Sequence, residues 1–235
     1  MSSDSGPSEG TVNLSDLVRL AQHDGVRVHE FATLRTAADQ RDQLLYRCRR
    51  NVQVRQVRGP DGERVTWRAD EIRYQGGALP SGEAVRSLGH WNPEDQVEVF
   101  EVRSGRVVML VVFPEDLATV SVATYGPGQA CVLPPGVFHL TYSPWEPSTV
   151  FNIYNESGHR ASGDSKYLGA PPPQRALVHG ADGWSLTPAE PEPATAPLGF
   201  GFPGPAGSVT EVLPTYSDDQ IVSLHKDILA SFSRT

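Results

Sequence analysis

From residue 51 onward the apolar residues recur at about every second position, and that period restricts most of the chain to strands. Val52, Val54 and Val57 run into a turn signal, GPDGER, and Val65, Thr66, Trp67 and Arg68 follow it. After a stretch punctuated by Gly76, Gly77, Pro80 and Gly82, strand-like runs cover 97–102, 106–113, 119–124, 130–133, 137–142 and 149–154. Turns at 103–105 and 114–116 separate the first three of these runs. Short strands at this spacing predict an all-β sandwich or barrel and exclude an alternating α/β unit.

The flanks follow other rules. Residues 1–10 are small, polar and free of aromatics, which predicts a disordered start. Residues 11–50 read as a helical lead-in. Asn13 or Ser15 can cap a first helix whose apolar face is Leu14, Leu17, Val18 and Leu20. A second helix is expected over 36–49, where Ala37, Ala38, Leu44 and Leu45 lie near helical spacing. The barrel itself is expected over 51–160. The stretch 161–216 is rich in Pro, Ala and Gly and reads as a linker or extended surface tail that cannot join a central sheet. In 217–235 the helical period returns. Ser217 can cap, Asp218 and Asp219 suit a helix N-terminus, and Ile221, Leu224, Ile228, Leu229 and Phe232 form one stripe. That stripe must be buried, either on the barrel or on a partner subunit.

Three residues inside the strand region carry metal-ligand chemistry: His90, Glu98 and His139. Alternation puts His90 and Asn92 on one face of an extended segment. It also groups Glu98 with Phe100 and Val102, against Val97, Val99 and Glu101 on the opposite face. The pattern alone does not choose which face lines the interior. A buried, unpaired carboxylate is costly, and a metal ion is one way to satisfy it. Two neutral imidazoles and one carboxylate on adjacent strands can bind Fe, Mn, Ni, Co or Zn and leave positions open for substrate or water. A lone histidine or glutamate on a strand is ordinarily a surface residue, so it is the constellation that points to a site. Glu94 and Asp95 lie in the same loop and are ordinarily just solvated.

Composition narrows the partners. A formal charge of −8 leaves no basic face to neutralise phosphates, which argues against nucleic acid. One local cluster, Arg47, Arg49, Arg50, Arg55 and Arg58, could meet a phosphate, although such clusters more often form a solvated face. Only Cys48 and Cys131 are present, so no disulfide framework is expected and a reducing cytoplasm is the simplest compartment. The polar opening is not a secretory signal, and no run approaches the roughly 18 apolar residues of a membrane helix. The expectation is a soluble cytoplasmic protein.

GHWN, EVFEVRSG, PGQACVLPPGVFH and IYNESGH, in that order, resemble the sequence motifs of the cupin superfamily. Within it they are most similar to the archaeal-type, cupin-fold phosphoglucose isomerases. The resemblance spans about 45–159. It implies a double-stranded β-helix, or jelly-roll barrel, and says nothing about the ends, where period and composition give the short N-terminal helices, the Pro/Gly-rich extension and the terminal helix. It also implies a divalent metal ion (Fe, Mn, Ni or Zn) held by His90, Asn92, Glu98 and His139. Glu98 would double as the proton-transferring base, with His159 and Tyr154 beside the substrate. Tyr46 falls roughly where the family places a substrate-contacting tyrosine, whereas Phe100 stands where the isomerases carry a tyrosine. Asn92 replaces the second histidine of the family's His-x-His pair. The centre is then a three-ligand one, a weakened four-ligand one or a relic.

The expected function is aldose–ketose isomerisation of a sugar or sugar phosphate, with Arg86 and the loop amides of 82–89 as phosphate donors. Trp91 is a candidate wall or stacking platform for the sugar, although plain packing is the more ordinary role for such a residue. Two other classes share these residues: a non-haem iron oxygenase, and a non-catalytic binding protein with a degraded site. A homodimer is expected of such a fold.

Overall fold

The computed structural model describes residues 7–23, 28–58, 62, 64–156, 175–187 and 208–232. Among them lie twelve strands and four α-helices. One sheet has the order β1 (Ser8–Asn13), β2 (Leu44–Arg58), β3 (Arg64–Tyr74), β10 (Ser148–Glu156), β5 (Glu98–Ser104) and β8 (Ala130–Leu133). The other has the order β4 (His90–Trp91), β9 (Phe138–Tyr142), β6 (Val107–Phe113) and β7 (Asp116–Tyr125). All named pairings in both sheets are antiparallel. This curled double sheet is the all-β architecture expected from the period-two pattern and the jelly roll that the motif resemblance implies. No helix among the described residues is long and apolar enough to cross a membrane.

Three apolar clusters hold the layers together. Between the sheets lie Phe100, Val102, Val107, Met109, Val111, Cys131, Leu133 and Val150. The other face of β5 and its neighbours sends Trp67, Ala69, Val97, Val99, Val132 and Ile153 outward against α4 (Asp218–Phe232). The outer face of β6 and β9 sends Val108, Leu110, Val112, Phe138, Leu140 and Tyr142 towards Leu177. The choice between the two faces of β5 is therefore settled: Glu98, Phe100 and Val102 point inward. Each fully buried Val, Leu or Met in these layers contributes about 1.5–3 kcal/mol relative to an exposed one.

The flanks depart from the sequence expectation in several places. Ser8, Glu9 and Gly10, expected to be disordered, begin β1, which pairs with β2 through Ser8↔Arg50 to Val12↔Tyr46. Sheet pairing there supplies the backbone hydrogen bonds that a short polar segment cannot make alone. The first helix is α1 (Leu14–His23), with the Asp16 carboxylate accepting from the Asn13 amide at 2.9 Å. The second is α2 (Phe31–Gln40), which ends before Leu44. Residues 44–49 are instead the start of β2, with Leu45, Tyr46 and Cys48 buried and Arg47 and Arg49 exposed. Pairing with β3 (Tyr46↔Tyr74, Cys48↔Ile72) overrides a helical spacing of leucines.

The expected tail also contains ordered structure. β11 (Ala176–Gly180) and β12 (Gly183–Thr187) form a hairpin, joined to the barrel by Ala84 donating its amide to Leu177 O at 2.8 Å. Leu177 and Trp184 join the outer cluster, so this part is a packed cover and not a loose linker. The Pro-rich runs of 161–174 and 188–207 lie outside the described residues. A 3-10 turn (Val209–Glu211) and α3 (Val212–Thr215) precede α4. Ser217 and Gln220 cap α4 reciprocally, at 2.7 and 3.3 Å. Its stripe of Ile221, Leu224 and Ile228 is buried on this chain's own barrel, and Arg55 bonds the carbonyls of Leu213 and Tyr216 and the Asp218 carboxylate.

Candidate metal centre

The two histidines meet because β4 lies against β9 in the register His90↔His139. Gly89 permits that approach. Its φ is +75°, and a Cβ there would sit 2.8 Å from Phe138 Cζ and 3.2 Å from His139 O. His139 enters β9 just after Pro134, Pro135 and Gly136, the last with φ +75° in the left-handed region that closes the turn. Glu98 is the first residue of β5 and faces the same interior.

The three side chains converge. His90 Nε2 and His139 Nε2 are 3.2 Å apart, and Glu98 Oε2 is 3.0 Å from His139 Nε2. One ligand atom from each lies within 4.8 Å of the others. Glu98 and His139 are each 4% exposed, and His90 is half-buried. A single N–H on His139 Nε2 cannot serve both His90 and Glu98, and Glu98 Oε2 has no well-formed hydrogen bond. Lone pairs that crowd one point without a proton between each pair make a donor set for a divalent first-row ion. The other carboxylate oxygen, Oε1, accepts from Gln96 Nε2 at 3.1 Å, which orients the group and leaves Oε2 for the centre. His139 Nδ1 is buried without a partner, and Phe100 lies beside its ring at 5.5 Å.

Asn92 is fully buried. Its Nδ2 faces the Pro134 carbonyl at 3.4 Å, and its Oδ1 has no partner. An amide oxygen buried without a donor suits a neutral fourth ligand, so the residues present fit an ion whether they supply three ligands or four.

The remaining expected site residues are distributed unevenly. Tyr154 stands opposite Glu98 across the β5–β10 pair and is buried. Burial, with the nearby Asp70, Glu156 and Glu98 carboxylates, pushes its hydroxyl well above the usual tyrosine range against the pull of Arg50. Tyr46 packs on Tyr74 at 5.3 Å, and burial pushes its hydroxyl up to about 12. Phe100 lines the interior. Trp91, expected as a sugar platform, faces the opposite way, because it follows His90 in an extended strand. It packs edge-on to Phe138 at 5.5 Å in the outer cluster. Arg86, expected to meet a phosphate, is 2% exposed and pairs with Glu83 at 3.2 Å. Its bridge partner Tyr142 belongs to the outer layer, so Arg86 fastens that layer. His159 lies outside the described residues.

Sequence reasoning missed Gln96, Asn152 and Asp70, and placed Arg50 in an arginine cluster that could meet a phosphate but more often forms a solvated face. Alternation from Tyr154 along β10 and from Tyr74 along β3 would have placed Asn152 and Asp70 on the inner face. Gln96 lies before its strand and carried no signal.

Residues 84–166 match the family model described as Cupin. This segment is similar to cupin domains, in keeping with its jelly-roll fold. It holds the whole ligand set and the strands from β4 to β10. No curated protein matches the sequence. Solved structures similar to this chain include an oxalate decarboxylase variant from Bacillus subtilis, at 17% identity and TM-score 0.35 over 50% of this chain and 26% of that one. Another is the Lactobacillus farciminis oxalate decarboxylase formate complex, at 12% identity and TM-score 0.34 over 49% of this chain and 30% of that one. This chain therefore covers less than a third of the length of either.

Proposed function

We propose that this cupin domain is a metal-dependent isomerase that interconverts aldose and ketose forms of a sugar or sugar phosphate. The observation that carries the reading is the convergence of His90 Nε2, His139 Nε2 and Glu98 Oε2, with the unpartnered Asn92 Oδ1 as a possible fourth donor. A bound divalent ion would polarise the vicinal oxygens of the sugar and acidify the proton between them. Glu98, oriented by Gln96, moves that proton between neighbouring carbons. Tyr154 stays a neutral donor at physiological pH and serves the substrate oxygen beside Glu98. Phe100 closes the apolar side of the site against His139 and limits water there. The motif resemblance to the archaeal-type cupin phosphoglucose isomerases supports this reaction, and His159, in the IYNESGH element, is the further polar group it would bring.

The test is proton–deuterium exchange and isomer formation followed by NMR, on protein whose metal content has been measured. Glu98→Gln should lower both by at least about a hundredfold, as loss of a general base does. Unchanged turnover in Glu98→Gln and after chelation would exclude the isomerase. The same two histidines and one carboxylate also suit a non-haem iron oxygenase. Dioxygen consumed in proportion to product would select it.

A further inference from the structure

The interior face that carries Glu98 carries a second polar group that takes no part in the ligand set. Register places Glu98 beside Tyr154 and Tyr154 beside Arg68, and in the next row Phe100 beside Asn152 and Asn152 beside Asp70. On the far side of β3 the ladder breaks. The register of β2 shifts between Arg49 and Gln53, and Asn51 adopts φ +56°, rare for a residue other than glycine. A bulge of this kind re-aims side chains and is typical beside functional sites.

The bulge is built around Asp70. Asp70, 1% exposed, accepts from the Asn51 amide at 2.8 Å and from Arg50 Nη1 at 2.8 Å. Arg68 donates to Asn51 Oδ1 at 3.0 Å and to Glu156 at 2.6 Å. These contacts commit Asp70, Asn51 and Arg68. Arg50 differs: one nitrogen is held by Asp70, yet its side chain remains 54% exposed. Between Arg50 and the metal centre sits Asn152, 4% exposed, whose Oδ1 has no partner. Neighbouring strands are about 4.8 Å apart, so β2 lies about 14 Å across the sheet from β5. Side chains that reach inward from both strands shorten that gap.

We propose that the β2 bulge forms an anion subsite serving the metal centre: Arg50 grips the terminal carboxylate or phosphate of a hydroxylated small molecule, while Asn152 Oδ1 accepts from one of its hydroxyls. The inference rests on reading the His90–Glu98–His139 centre as a small-molecule site. It relocates the anion from Arg86, which Glu83 holds in the outer layer, to the guanidinium that the bulge leaves open. Asp70 holds Nη1 of that guanidinium, and the N–H groups it does not use can meet a planar or tetrahedral anion.

The test uses the full-length protein, with and without added Mn²⁺, and three unreactive six-carbon probes: sorbitol, gluconate and sorbitol 6-phosphate. Calorimetric titration at low salt should show at least one anionic probe binding about tenfold or more tighter than sorbitol, a preference that salt erodes. Arg50→Gln should abolish the preference and leave sorbitol binding unchanged, and Arg50→Lys should keep part of it. The tighter of the two anionic probes identifies phosphate or carboxylate as the group held. Because Arg50 and not the ion creates the preference, it should persist in metal-free protein. Loss of metal binding or isomerisation with the preference retained would sink only the reaction assigned above. A thermal melt checks the fold of Arg50→Gln, and if that variant fails to fold, Arg50→Lys and the salt series on the unaltered chain decide. Equal or absent binding of all three probes, a preference that survives Arg50→Gln, or one that vanishes without metal would overturn the proposal.

Discussion

Gly89→Ala is the perturbation that most directly tests how the centre is assembled. The new methyl would be placed 2.8 Å from Phe138 Cζ and 3.2 Å from His139 O. Phe138 cannot swing aside freely, because it is 2% exposed and packed on Trp91. The left-handed φ of +75° costs a non-glycine residue about 1–2 kcal/mol. Overpacking of a filled core adds about 1–3 kcal/mol. The expected loss is thus about 2–5 kcal/mol, a large part of the stability of an ordinary domain but not necessarily all of it. Urea unfolding should show a midpoint lower by on the order of 1 M. Any relaxation must move β4 away from β9, which separates His90 from His139. Metal affinity, measured by chelator competition on the folded variant, should therefore fall by about tenfold or more, as it does when ligand support is removed. A loss below about 1 kcal/mol together with unchanged metal affinity would refute the claim that this glycine sets the His90–His139 approach.

Asn92→His should raise metal affinity about tenfold or more by replacing an amide oxygen with an imidazole, and unaltered affinity would place Asn92 outside the ligand set. Burial pushes the Cys48 and Cys131 thiols from 9.0 up to about 11 and about 12. Both should therefore resist thiol reagents at pH 8 in the folded protein and react in denaturant, and rapid native labelling would contradict their burial. Folded-state values raised in this way favour the protonated form. Their contribution to stability is complete below pH 9 and declines as pH rises from 9 towards 11 and beyond, which a series of alkaline melts would reveal. Ile228→Ala in α4 should cost about 2–5 kcal/mol without altering metal stoichiometry, because that helix packs on the outer face of the sheet carrying Glu98. A change in stoichiometry would show that the helix also props the site.

Local chemistry was legible in the sequence alone. The period-two runs specify an all-β fold because alternation is a property of each strand by itself. The Pro134-Pro135-Gly136 turn announces tight backbone, and Ser217 with Asp218 and Asp219 announces the start of α4. His90, Glu98 and His139 stand out by residue type, and their grouping follows once the strands fold together.

What the sequence leaves open depends on pairing between distant segments. Leu44 and Leu45 fit a helix as well as a strand until Leu44 pairs with Asn13 of β1 and the Leu45 carbonyl accepts from the Gln75 amide. Nothing in the local pattern tells Trp91 from His90 as the inward residue. The register with β9 decides it, and a slip of one residue would exchange them. Arg50 and Arg86 are both plain arginines in the sequence. One is bound into the outer layer by Glu83, and the other is turned towards the interior by a bulge around Asp70, 20 residues away in the chain. Composition and alternation thus determined the barrel and its candidate ligands. Only tertiary contacts decided which charged side chains are buried in pairs, as Arg86 is with Glu83, and which stay half exposed, as Arg50 does at the bulge.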